Sequence, residues 1–195
     1  MRSARAGLAR LVPVLAALVA VALLGAVLQK FVVSAAVVSS SSMSPLLQPG
    51  DRIMVWQLAY RSPGSGDVQR GDIVLFDGRG TWVPAGTSGD TEFVKRVIGV
   101  GGDRITCCDA SGRLLVNGQA LKESYLAPGD TASSVPFDIA VPLGELWLMG
   151  DHRSVSADSR DHLGGPGGGT VSLSSVIGKV VAVMWPANRG GLVSQ

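Results

Sequence analysis

Two periods of hydrophobicity divide this 195-residue chain. The first is a single apolar run, Leu11 to Leu28, without a charge. As a helix its roughly 18 residues rise about 27 Å, close to the depth of a bilayer core. Pro13 falls in the first turn, where a missing N–H does little harm. Arg2, Arg5 and Arg10 precede the run and Lys30 follows it. The excess of cations on the leading side predicts a short cytoplasmic tail at 1–10, a membrane-spanning signal-anchor helix at 11–30 and an extracytoplasmic domain over 31–195. A cleaved signal peptide is the competing reading. The run is longer than the usual signal core, however, and Ser34-Ala35-Ala36 makes a weak cleavage site.

Past the anchor the period shortens to that of strands. Arg52–Trp56, Asp72–Phe76 and Phe93–Ile98 are short β-rich runs set off by Gly-Asp turns, and Glu145–Met149 and Val176–Trp185 supply later strands. Arg113–Val116 leads into Asn117-Gly118, the strongest short hairpin signal. Residues 63–66, 78–89 and 164–169 read as loops. No long amphipathic helix and no fixed repeat follows residue 30, so the domain is predicted to be mostly β, with room for only a small inserted β-subdomain within 104–145.

Charge adds little until its placement is considered. All 15 acidic residues lie from Asp51 onward, so the net +2 comes from the cations around the anchor. The outer domain is slightly acidic, which argues against nucleic acid as a partner. Cys107 and Cys108 are adjacent, and with His152 and His162 as the chain's two histidines no metal-ligand spacing exists. Two thiols or a vicinal disulfide are both open for the cysteines.

The candidate chemistry begins at Ser39-Ser40-Ser41-Ser42-Met43-Ser44-Pro45. By composition this is a polar linker. As chemistry it is a set of hydroxyls, each a weak nucleophile until a base stands beside it. His152, between Asp151 and Arg153, would serve a Ser-His-Asp arrangement. Lys95 is the stronger candidate. In an extended strand it shares a face with Phe93, Val97 and Gly99, whereas Arg96 shares the other with Val94, Ile98 and Val100. Apolar neighbours strip water from an ammonium and lower its pKa toward that of a usable base. Arg96 cannot substitute, because guanidinium does not deprotonate. By the strand pattern alone, a lysine snorkelling to water from an edge strand is the commoner arrangement. A third cluster runs from Gly150 to Arg160, with Asp158 and Arg160 on one side of an extended backbone.

Taken in order, these clusters resemble the bacterial type I signal peptidases, or leader peptidases. The resemblance rests on Ser40-Ser41-Ser42-Met43-Ser44-Pro45 with Gly50-Asp51, on Gly71–Phe76, on Lys95–Asp103 and on Gly150–Arg160. It implies a fold of coiled antiparallel β-sheet and a membrane-bound serine endopeptidase with no cofactor and no metal. By position it makes Ser42 the nucleophile, Lys95 the general base, and Ser40 with the Ser42 N–H the oxyanion hole. Ser156 would orient the lysine, and Asp158 and Arg160 would brace the site. Val38, Met43, Leu47, Phe93 and Val94 would form shallow substrate pockets for small residues, as in Ala-x-Ala. The implied partners are signal peptides of exported preproteins, the lipid bilayer and the export machinery, with the enzyme acting as a monomer. Four positions depart from the family pattern: Ser39 replaces a common Pro, Ser41 a Gly, Leu46 a Thr and His152 an Asn.

Overall fold

The structure is a computed structural model that describes residues 13, 15–23, 25, 32–60 and 67–193. The expected tail 1–10, Lys30 and the expected loop at 63–66 lie outside the described residues. Residues 15–23 are helical, with Leu15, Leu18, Val19, Val21 and Leu23 all exposed. Among the described residues no helix is long and apolar enough to cross a membrane.

The other described residues are mainly antiparallel β, with four short 3-10 turns. In chain order the strands are β1 (Val33–Val37), β2 (Arg52–Trp56), β3 (Ile73–Asp77), β4 (Glu92–Val100), β5 (Arg104–Cys107), β6 (Leu115–Val116), β7 (Gln119–Ala120), β8 (Phe137–Ala140), β9 (Glu145–Met149), β10 (Val171–Ser172), β11 (Val176–Trp185) and β12 (Gly191–Leu192). Eight form one sheet in the order β1-β2-β11-β3-β4-β9-β10, with β12 added beside β11. Strand β11 holds the sheet together. Its first residues pair with β3 and the remainder with β2, and register shifts at Val176/Gly178, Val180/Ala182 and Val183/Trp185 let one strand bend through both partnerships.

Period-2 burial explains why β3 sits inside the sheet. Ile73 and Leu75 join one apolar cluster with Val38, Met43, Leu47, Ile53 and Val55, while Val74 and Phe76 join a second with Trp82, Val97 and Leu148. A strand buried on both faces must be apolar throughout, as Ile73 to Phe76 is. Strands β5–β8 form a separate sheet in the order β7-β6-β5-β8, packed around Ile105, Leu114, Phe137 and Trp147. Its β6–β7 hairpin turns at Asn117 and Gly118, both with positive φ (53° and 78°), as a primed two-residue turn requires. Cys107 and Cys108 are joined by a disulfide at the end of β5.

One strand is new and one expectation is corrected. Residues 33–37, for which the sequence suggests no strand, form edge strand β1 in register with β2. Val100, expected on the face of Arg96 and Ile98, packs with the cluster of Phe93 and Val97 instead. The cause is a register shift between Val97 and Gly99 where β4 meets β9, which breaks the alternation.

Candidate active site

The serine run is not a linker but a compact loop closed at its neck. Val38 N–H donates to Asp51 O (2.9 Å) and Gly50 N–H donates back to Val38 O (2.8 Å). Inside it, Ser44 N–H donates to Ser41 O (3.0 Å) and Leu47 N–H to Met43 O (2.9 Å). Met43 and Leu47, both fully buried, pin the loop to the core below β2 and β3. Asn117 is the one described non-glycine with positive φ, so Ser41 occupies ordinary backbone space where the family commonly has glycine.

Lys95 meets this loop from β4. Its register partner is Val74, and its strand neighbours on the same face, Phe93 and Val97, belong to the second apolar cluster. Lys95 is 4% exposed and Ser42 7% exposed, and Lys95 Nζ lies 2.8 Å from Ser42 Oγ in hydrogen-bonding geometry. Loss of water on burial pushes the ammonium down from 10.5 to about 8, against the pull of Asp158 upward and with the push of Arg160 downward. Ser40 Oγ lies 3.1 Å from Ser42 Oγ on the open side of the pair. The Ser42 hydroxyl, the Lys95 amine and the Ser40 hydroxyl thus converge on one point.

The Gly150–Arg160 loop backs this arrangement. Asp158 and Arg160 form a two-pronged ion pair (2.8 and 2.9 Å), and Asp158 Oδ2 also accepts from Gly150 N–H (3.0 Å). Arg160 donates onward to Arg153 O at 2.9 Å, tying the two ends of the loop together. Ser156 is buried, and its hydroxyl has no hydrogen-bond partner among the described residues. It faces Gly150, as does the Ser42 carbonyl. His152 contributes through its backbone: its N–H donates to Ser42 O (3.0 Å), while its Nδ1 is buried without a partner. No hydrogen bond joins its imidazole to Ser42 Oγ. His162 stacks on Trp82, ring centroids 4.9 Å apart.

Sequence reasoning missed the pair beneath the site. Arg96 donates to both Asp151 oxygens (2.7 and 2.6 Å) and to Gly71 O (2.9 Å), and its guanidinium lies 4.0 Å over the Tyr125 ring. The signal available was alternation itself, since placing Lys95 on one face of β4 obliges Arg96 to find a partner on the other.

A groove of about 520 Å³ opens beside Ser42, lined by Ala35 to Ser40 from β1 and the loop, by Met43 and Leu75, and by Asp90 and Glu92 to Lys95. Val38, Met43, Phe93 and Val94 are on its walls. Leu47 is not; it is wholly buried in the core behind Met43. Two strand edges flank the groove. Strand β1 pairs only with β2, and β4 pairs with β9 only from Arg96 onward, so residues 92–95 lack a neighbour on that side among the described strands.

The profile of the family described as "Signal peptidase, peptidase S26" matches residues 10–185. A protein of Mycobacterium leprae named probable signal peptidase I is 35% identical, covering 85% of this chain and 73% of that protein. The signal peptidase I of Mycobacterium tuberculosis is 34% identical, over 86% of this chain and 70% of that protein. A crystal structure of a signal peptidase I from Enterococcus faecalis overlaps 58% of this chain and 97% of that one, at 25% identity and a TM-score of 0.44. The chain belongs to the peptidase S26 family of signal peptidases, and its class is serine endopeptidase. Its place in that family is with the bacterial type I enzymes.

Proposed function

We propose that this protein is a membrane-bound endopeptidase that removes signal peptides from exported preproteins after small-x-small sites, using Ser42 as nucleophile and Lys95 as general base. The observation that carries the reading is the 2.8 Å contact between Lys95 Nζ and Ser42 Oγ in a nearly dry setting. Neutral Lys95 takes the Ser42 proton as Oγ attacks the carbonyl that follows the small residue. The resulting tetrahedral oxyanion is met by Ser40 Oγ–H and the Ser42 N–H. Lys95 then protonates the leaving amine, an ester-linked acyl-enzyme remains, and Lys95 activates the water that releases it. Ser156 is the buried hydroxyl left to orient the lysine, and Asp158 and Arg160 hold its loop.

Substrate binding follows from the groove. An extended peptide lying between the free edges of β1 and residues 92–95 gains main-chain hydrogen bonds from both. Apolar walls at Val38, Met43, Phe93 and Val94 then select small side chains close to Ser42. The membrane assignment draws on the uncharged run at 11–28 and on β1 beginning so soon after it, which keeps the groove where a substrate emerges from the bilayer and the export machinery.

The test is cleavage of an Ala-x-Ala preprotein by the full-length protein in detergent, beside Ser42→Ala and Lys95→Arg. Both variants are expected to be inactive. Cleavage retained by Lys95→Arg overturns the lysine base.

A further inference from the structure

Arg189 lies beyond residue 185, where the family match ends, and the chemistry above does not use it. It closes a 3-10 turn, Ala187–Arg189, directly after β11, with its own N–H donating to Pro186 O at 2.9 Å. The last pairing of β11 with β2, Trp185 opposite Arg52, sets this turn beside the neck of the nucleophile loop. From there the side chain crosses 138 positions of sequence to reach Asp51. Nε donates to Asp51 Oδ1 at 3.0 Å and Nη2 to Oδ2 at 2.9 Å, and Nη2 donates also to Leu46 O at 3.0 Å.

One planar group therefore grips the loop at two places. Asp51 forms the neck with Val38, and its Oδ2 accepts from Gln48 N–H at 2.8 Å. Leu46 belongs to the limb that returns from Ser42 and Met43. Asp51 is 1% exposed, and the Arg189 hydrogen bond is the first cause holding its carboxyl below the ordinary range. Without a partner, a carboxylate so placed takes up water or a proton and slackens the turn it caps.

We propose that Arg189 is a positioning residue for the nucleophile: by bridging Asp51 to the Leu46 carbonyl it fixes the loop so that Ser42 Oγ stays in line with Lys95. The proposal rests on the Ser42–Lys95 reading. It requires the guanidinium fork and not merely a cation, because an ammonium cannot hold both carboxylate oxygens and a carbonyl in one plane. The C-terminal turn thereby becomes part of the catalytic apparatus although it touches neither substrate nor reacting atoms.

The experiment measures kcat and KM on an Ala-x-Ala preprotein for full-length Arg189→Ala, Arg189→Lys, Asp51→Asn and the Arg189→Ala/Asp51→Asn double variant. All are assayed below the lowest thermal midpoint in the set. Misplacement of a reacting atom by about 1 Å costs up to about a hundredfold. Arg189→Ala is thus expected to lose about ten- to a hundredfold in kcat with KM held within about twofold. Arg189→Lys should recover little of it, and the double variant should be no slower than the slower single one. The proposal falls if Arg189→Ala keeps its kcat, if lysine restores it fully, if the two losses multiply, or if kcat falls only as folded protein is lost. Should Arg189→Ala not fold, Arg189→Lys decides the matter on the same criteria. A parent enzyme that cleaves while Ser42→Ala does not secures the nucleophile whatever the Arg189 variants do, whereas an inactive parent overturns both.

Discussion

Lys95 Nζ stands 2.8 Å from Ser42 Oγ at a point where burial has driven the lysine down from 10.5 to about 8. Two consequences follow from the same loss of water. As the proposed base Lys95 acts only when neutral, so kcat/KM should rise about tenfold per pH unit below about 8 and level off above it. The second consequence concerns stability. With a folded pKa of about 8 and an unfolded one of 10.5, Lys95 carries its full burial penalty below pH 8, loses it between about 8 and 10.5, and has none above. At about 1.4 kcal/mol per pH unit the penalty is on the order of 3 kcal/mol. Lys95→Met should therefore be inactive yet more stable than the parent at pH 7, with the gap closing as pH approaches 10.5. Urea unfolding across that range measures it, and a variant less stable at pH 7 contradicts the account.

Gly150 sits where the Ser42 main chain packs against the supporting loop. A Cβ there would run into the Ser156 hydroxyl and the Ser42 carbonyl, with Ser156 Cβ only 2.6 Å away. The Ser42 carbonyl does not yield easily, since it is held by the His152 N–H, and Gly150 cannot back away because its own N–H is held by Asp158. Gly150→Ala should separate Ser42 from the Ser156 turn, lowering kcat by about a hundredfold and stability by about 1–3 kcal/mol. Gly164, with nothing within 4 Å of its added Cβ, supplies the control: Gly164→Ala should leave cleavage unchanged.

How much of this was legible in the sequence depended on range. Runs of β-rich residues located β2, β9 and β11 to the residue, Asn117-Gly118 located a hairpin, and the strand period placed Lys95 between Phe93 and Val97. These signals are local. What stayed hidden was set by partners far along the chain. Strand β1 is short and rich in small residues, so nothing marked it until β2 paired with it. The resemblance made Leu47 a pocket wall by position, but the turn that joins it to Met43 sends it into the core. The Arg189–Asp51 and Arg96–Asp151 pairs leave no trace in spacing, because sheet order alone brings their members together.

Arg96 and Asp151 are both essentially inaccessible, with side-chain exposures of 1% and 0%. Burial raises the Asp151 carboxyl above its ordinary range even though the Arg96 guanidinium pulls it down, so the aspartate depends on its partner. Removing one charge leaves the other stranded beneath β4, at about 3–5 kcal/mol. Arg96→Met should destabilise by that amount in urea unfolding, with m unchanged. Exchanging both residues for apolar ones of like volume, Arg96→Met with Asp151→Leu, should recover most of the loss, because no uncompensated charge remains. The double variant should still cleave poorly. Asp151 adjoins Gly150, whose contacts with Ser42 and Ser156 set the site, and its own main-chain carbonyl accepts from Ala127 N–H at 3.1 Å. Stability would then be restored while kcat was not, separating what the ion pair does for the fold from what it does for the alignment of Ser42. A single variant losing less than about 1 kcal/mol, or a double variant with parental kcat, would contradict this role.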